Sequence, residues 1–154
     1  MTGNELIIKR HGDEGRRYLF IEPYLNGSHR ALVQALSHGL PGRWTLLGLA
    51  GRFFRWRMRG GAAFLAQSAG EILRQPWDAL LCSSMLNLAE LRGLVPQLAE
   101  VPALVYFHEN QLAYPASGGA DAGQRERDLF LAFSNLTSAA AAKLAVFNSA
   151  YHRD

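Results

Sequence analysis

An α/β domain with a doubly wound parallel sheet is the fold this sequence predicts, on three observations. Short apolar runs recur at residues 17–22 (RYLFIE), 44–50 (WTLLGLA), 78–83 (DALLCS), 102–108 (PALVYFH) and 143–149 (KLAVFNS). Such nearly continuous apolar segments suit strands covered on both faces. Helical patterns separate these runs, and crossovers of that length join parallel strands. The chain has 154 residues, 49% of them hydrophobic and 19% charged, which is enough for one domain with a real core.

The elements follow in order. Residues 1–16 read as an N-terminal extension with a short strand at 6–8, and residues 17–154 as the domain proper. Pro23 ends the first run. The pattern 29–40 places Leu32, Val33, Leu36 and Leu40 on one helix face. Residues 61–74 form an Ala-rich helix with Phe64, Leu65, Ile72 and Leu73, and 87–95 aligns Leu88, Leu91 and Val95. Residues 116–123 (ASGGADAG) read as a loop before a helix over 124–142, whose core face would be Leu129, Phe133, Leu136 and Ala140. The pattern stops just after the fifth run, where a doubly wound domain continues with a helix, so the domain reads as cut.

Composition excludes several classes. The longest stretch without a charged residue, 129–142, is shorter than the about 20 apolar residues a bilayer span needs. The first 17 residues lack the apolar core of a signal peptide. A single cysteine, Cys82, rules out an internal disulfide and reads as a core residue in the third run. A cytoplasmic protein without membrane contact is the expectation. Net charge is +3, and all basic residues except Lys9 and Lys143 are arginines. GC-rich coding accounts for that bias as well as phosphate binding does; the local cluster Arg52, Arg55, Arg57 and Arg59 is more informative.

In open parallel sheets, ligands bind outside the carboxyl ends of the strands. Polar residues gather after each run. Asn26-Gly27-Ser28-His29 opens the first helix; Gly27 permits close approach and the helix start favours anions, while a plain turn capped by Ser28 is the simpler alternative. The sequence lacks GxGxxG there, which argues against a nicotinamide cofactor. The arginine segment interleaves Phe53, Phe54 and Trp56, so it can stack bases and hold phosphates, or be an amphipathic strand or loop; if extended, Arg55, Arg57 and Arg59 share one face. Asn87 and Glu90 have capping-box spacing. His108-Glu109-Asn110-Gln111 is the strongest local feature, because an imidazole and a carboxylate after a buried strand can do acid–base work or bind sugar hydroxyls. No HxxxH or similar spacing supports a metal.

Together, Ile21-Glu22-Pro23-Tyr24 with Gly27-Ser28-His29, Trp56-Arg57-Met58-Arg59-Gly60, the stretch from Ser84 to Leu91, the stretch from Tyr106 to Pro115 (YFHENQLAYP) and Phe147-Asn148-Ser149 resemble a known family. It is the tRNA-queuosine mannosyltransferases, which are glycosyltransferase-4-like, and the resemblance is to their N-terminal domain. The resemblance implies a GT-B enzyme of two Rossmann-like domains. This chain would be the acceptor side, and a second domain, beyond Asp154, would bind the sugar nucleotide, expected to be GDP-mannose. The acceptor would be queuosine in the tRNA anticodon. Transfer in such enzymes retains configuration and needs no dedicated base, so His108 and Glu109 stand as catalytic candidates only. Gly27, Ser28, His29, Arg57, Arg59, Asn87, Asn110 and Gln111 are the expected substrate-binding residues. No other cofactor and no metal is implied. A non-catalytic nucleotide- or RNA-binding module, or a general nucleic-acid-binding protein, is the alternative.

Overall fold

A computed structural model describes residues 6–109, 111 and 122–153, with the side chains of 122–128 and 152 excepted. The strands are β1 (Leu6–His11), β2 (Arg17–Leu25), β3 (Arg43–Ala50), β4 (Ala79–Ser83), β5 (Ala103–Phe107) and β6 (Leu144–Phe147). They form one six-stranded sheet in the order β1-β3-β2-β4-β5-β6. All neighbours are parallel except β1, which runs antiparallel along β3 from Leu6 opposite Leu49 to His11 opposite Trp44. The N-terminal segment is thus an edge strand of the same sheet, longer than its short apolar stretch indicated.

Helices α1 (Gly27–Gly39), α2 (Phe54–Ser68), α3 (Gly70–Leu73), α4 (Leu88–Leu94), α5 (Ala122–Ala141) and α6 (Ala150–Arg153) fill the connections. The larger core holds Leu19, Ile21, Leu47, Leu49, Leu65, Leu80, Leu91 and Val105, among others, under α2 and α4. The smaller one, Phe20, Leu25, Val33, Trp44 and Leu46, lies under α1. Opposite parity along β2 explains the division: Leu19 and Ile21 face one side, Phe20 the other. The chain steps from β2 to β3 on one side and reaches β4 on the other, so the topological switch lies beside β2.

Three expectations need correction. β2 does not end at Pro23; it runs to Leu25, with its pairing to β3 shifted between Glu22 and Leu25. Proline cannot donate to the ladder, and the irregularity accommodates it. The arginine segment is not extended. It enters α2, which starts seven residues before the expected Ala-rich helix and is followed by the separate short α3. The core face of α5 is also inverted. Leu129, Phe133 and Leu136 are exposed, whereas Leu131, Ala132, Ser134, Asn135 and Ser138 are buried. The reason lies in the bonds on the buried side: Ser138 Oγ donates to Leu86 O and accepts from Leu88 N–H, and Asn135 Nδ2 donates to Ser84 O at 2.9 Å. Small polar side chains let α5 approach the β4–α4 turn and satisfy its backbone.

Candidate functional site

The carboxyl edge of the sheet gathers side chains from three segments. Glu22, near the end of β2, is fully buried. Its Oε1 accepts Tyr24 N–H and Ser83 Oγ–H, both at 2.9 Å, and its Oε2 lies 3.0 Å from His29 Nδ1. Pro23 contributes by its missing donor, since Tyr24 N–H turns to the carboxylate where the ladder is interrupted. The switch point therefore holds a carboxylate with three donors from β2, β4 and α1.

The pairing fixes His29. A carboxylate only accepts, so Nδ1 carries the proton and the Nε2 of a neutral ring is an acceptor. His29 is held at the start of α1, which Asn26 caps: its Oδ1 accepts Gly27 N–H at 2.9 Å. The cap is Asn26, not Ser28. Gly27 has φ of +48°, which favours glycine. Tyr24 meets the His29 ring edge-on at 5.6 Å, and His108 stacks on it at 3.9 Å.

His108 follows β5. Its ring also meets Tyr106, its carbonyl accepts Asn148 Nδ2–H at 2.5 Å, and its Nε2 is buried without a hydrogen-bond partner among the described residues. Burial first, and the neighbouring His29 second, push its pKa down to about 4. It is neutral near pH 7 and presents an unanswered polar atom, which a ligand hydroxyl would satisfy.

Glu22, His29 and His108 also form a possible cation cluster, their ligand atoms all within 4.8 Å of one another. No sequence spacing pointed to it, because the three lie on separate segments. The 3.0 Å Glu22–His29 contact is a good hydrogen bond as it stands, and the two imidazole rings overlap at 3.9 Å with a 36° tilt, so the cluster holds together with no ion.

The remaining expected residues fall into distinct places. Glu109 Oε1 accepts Gln111 Nε2–H at 3.1 Å, and Gln111 N–H points to Asn135 Oδ1 at 3.4 Å. Asn110 lies outside the described residues. Asn87 caps α4 by accepting Glu90 N–H at 3.1 Å. Arg57 is buried and its Nη2 donates to Ala50 O, tying α2 to the end of β3; burial lowers its pKa. Arg59 is exposed and lies over the Phe130 ring at 5.0 Å. The expected shared face of Arg55, Arg57 and Arg59 is lost, because on a helix Arg57 turns to the side opposite the other two. Cys82 is wholly buried, and burial pushes its thiol pKa up, as fits a core residue. Sequence reasoning missed Glu22, Ser83 and Asn135 as parts of the site. The signal available was a carboxylate inside an apolar run, which needs partners.

A family model described as the tRNA-queuosine alpha-mannosyltransferase N-terminal domain matches residues 17–154. The tRNA-queuosine alpha-mannosyltransferase of Drosophila melanogaster is 38% identical over 135 residues, covering 87% of this chain and 34% of that relative. The chain thus spans about a third of the length of the relative it matches. Every residue of the carboxyl-edge cluster lies inside the matched region. These findings favour the glycosyltransferase reading over a non-catalytic binding module, and the chain belongs to the tRNA-queuosine alpha-mannosyltransferase family, matching its N-terminal domain.

Proposed function

We propose that this chain is the acceptor side of a two-domain GT-B mannosyltransferase that moves mannose from GDP-mannose to queuosine in tRNA. The observation that carries the reading is the Glu22–His29–His108 cluster at the topological switch. Its two imidazoles, of which burial keeps His108 neutral, and its buried carboxylate suit a neutral polyol. His29 Nε2 would accept a hydrogen bond from an acceptor hydroxyl, and the buried His108 Nε2 would engage the acceptor or the transferred sugar. Glu22 does not reach the substrate; it sets the tautomer of His29. With no dedicated base, the hydroxyl proton would pass toward the leaving phosphate, as in other retaining transfers.

The diphosphate would be held by a second domain. That domain supplies the electrostatic stabilisation of the departing charge and closes the cleft to water. A tRNA acceptor and a sugar nucleotide make the cytoplasm the expected compartment; among the described residues no helix is long and apolar enough to cross a membrane.

The test is an assay for mannosylated nucleoside with GDP-mannose and queuosine-containing tRNA. The 154-residue chain should show no turnover, whereas its fusion to a donor-binding domain of the family should transfer mannose. His108→Ala in that fusion should cut turnover at nearly unchanged thermal stability. Turnover by the chain alone would sink the two-domain reading. Normal transfer by the His108 variant would remove His108 from the site.

A further inference from the structure

The segment 51–70 carries four arginines and no acidic residue. The structure gives it a shape. Phe53, Trp56, Arg57, Gly60, Gly61 and Phe64 line a cavity of 260 Å³. Their spacing is that of a single helix face along α2. Phe53 and Trp56 are 70% and 75% exposed, far more than the other tryptophans, Trp44 and Trp77, at 4% and 8%.

Two features of this cavity are costly to the fold and are not explained by packing. Phe53 has φ of +55°, the one positive value among described non-glycine residues. Holding a bulky residue there costs about 1–3 kcal/mol. Gly60 and Gly61 are consecutive inside a helix, where each glycine costs about 1 kcal/mol relative to alanine. A Cβ on Gly61 would make ordinary contact with Pro23 at 3.4 Å, and one on Gly60 would meet nothing within 4 Å. The missing side chain of Gly60 keeps the cavity open.

We propose that this cavity is a base-stacking slot, in which an unpaired nucleotide of the RNA acceptor inserts its base between Phe53 and Trp56 over Gly60. The proposal rests on the RNA-acceptor reading above and adds a second contact outside the hydroxyl-binding cluster. The cavity is smaller than the about 300–1,000 Å³ of drug-sized pockets, as a single heterocycle requires. Arg57 lines the slot itself, and the exposed Arg55 and Arg59, on the opposite side of α2, add to the positive field that a phosphodiester chain meets. The slot also connects with the cluster. Gly61 packs on Pro23, while Met58, on the same helix, packs with Met85 and Tyr24, whose ring meets His29. A nucleotide near the modified one would be gripped here. Exposed tryptophan beside arginine also suits an anionic membrane surface, but a half-open slot floored by glycine serves a planar base better than a lipid interface.

The test uses the exposure of Trp56 as a probe. The 154-residue chain is titrated with two anticodon stem–loops, one containing queuosine and one with guanosine in its place, and tryptophan emission is recorded. Both RNAs should quench emission, and Trp56→Phe should abolish the quench while keeping affinity. Trp56→Ala should weaken binding roughly 5- to 100-fold, the range of one lost stacked base. Gly60→Leu should weaken it similarly while raising thermal stability, because leucine is a better helix former that fills the slot. Unchanged affinity in both variants would overturn the proposal. So would a Trp56 signal that responds to phosphatidylglycerol vesicles and not to RNA. Equal quenching by both stem–loops without mannosylation by the fusion would keep the slot and discard the transferase reading. Mannosylation with full RNA affinity in Trp56→Ala would do the reverse.

Discussion

The Glu22–His29–His108 cluster and the segment 52–59 lie on the same edge of the sheet but are held in opposite ways. In the cluster, a wholly buried carboxylate is surrounded by donors from three elements, and the imidazoles are locked by stacking. In the segment, Phe53, Trp56, Arg55 and Arg59 face solvent from one end of a helix, while Arg57 and Met58 are buried and Arg57 is tied back to the sheet. The contrast teaches where function and stability are fused and where they separate. On the proposed reading, hydroxyl recognition needs atoms fixed to fractions of an ångström, which a cluster built into the core supplies. Grip on a charged chain tolerates solvated side chains.

The largest effect should come from breaking the fused region. Glu22→Ala strands the Tyr24, Ser83 and His29 donors and should cost about 1–3 kcal/mol for each one left unanswered, read from urea unfolding. Arg55→Gln or Arg59→Gln should shift stability by less than about 0.5 kcal/mol. Glu22→Gln is subtler. Its amide can donate to His29 Nδ1, which would move the proton to Nε2 and turn an acceptor into a donor. Transfer by the fusion should then fall much more than stability does. Equal losses would mean that Glu22 is only a packing residue.

Next comes the RNA grip. Arg55→Gln with Arg59→Gln should lower the slope of log affinity against log salt by roughly one to two units. Glu22→Gln should leave that slope alone. An unchanged slope in the double variant would assign these arginines to a plain solvated face.

A smaller effect follows from the depressed His108 pKa. The unfolded chain takes up a proton near pH 6.5, and the folded chain resists it until about pH 4. Between those values the unfolded state binds more protons, so stability should fall as pH drops through that window. His108→Gln should flatten this part of the profile. Identical profiles for both proteins would show that His108 titrates like a solvated imidazole.

Much of the fold is legible in sequence because apolar runs mark the strands whichever way they pair. Leu88, Leu91 and Val95 are buried as their spacing requires. α5 departs from its apolar pattern because hydrophobicity is only one reason for burial. Leu129, Phe133 and Leu136 make an apolar stripe, yet Asn135 and Ser138 face inward, where the β4–α4 turn presents backbone groups that need partners. The arginine segment alternates arginine with large apolar side chains in a way that mimics a strand, and consecutive glycines hid the helix. At the site, His29 and His108 were legible from their place after apolar runs. Their stacking, and the carboxylate joining them to Ser83, depends on contacts between residues as far apart as Glu22 and Ser83.

The central claim is that the His29–His108 edge receives the acceptor, and the chain carries its own control. His11 and His38 stack on each other at 4.3 Å at the opposite edge, where β1 ends beside the start of β3. Imidazole resonances of the 154-residue chain can be followed by NMR during titration with a queuosine-containing anticodon stem–loop. The account predicts that the His29 and His108 signals shift in a saturable way while those of His11 and His38 stay in place. Movement of His11 and His38 alone, or no movement of His29 and His108 at saturating RNA, would contradict it.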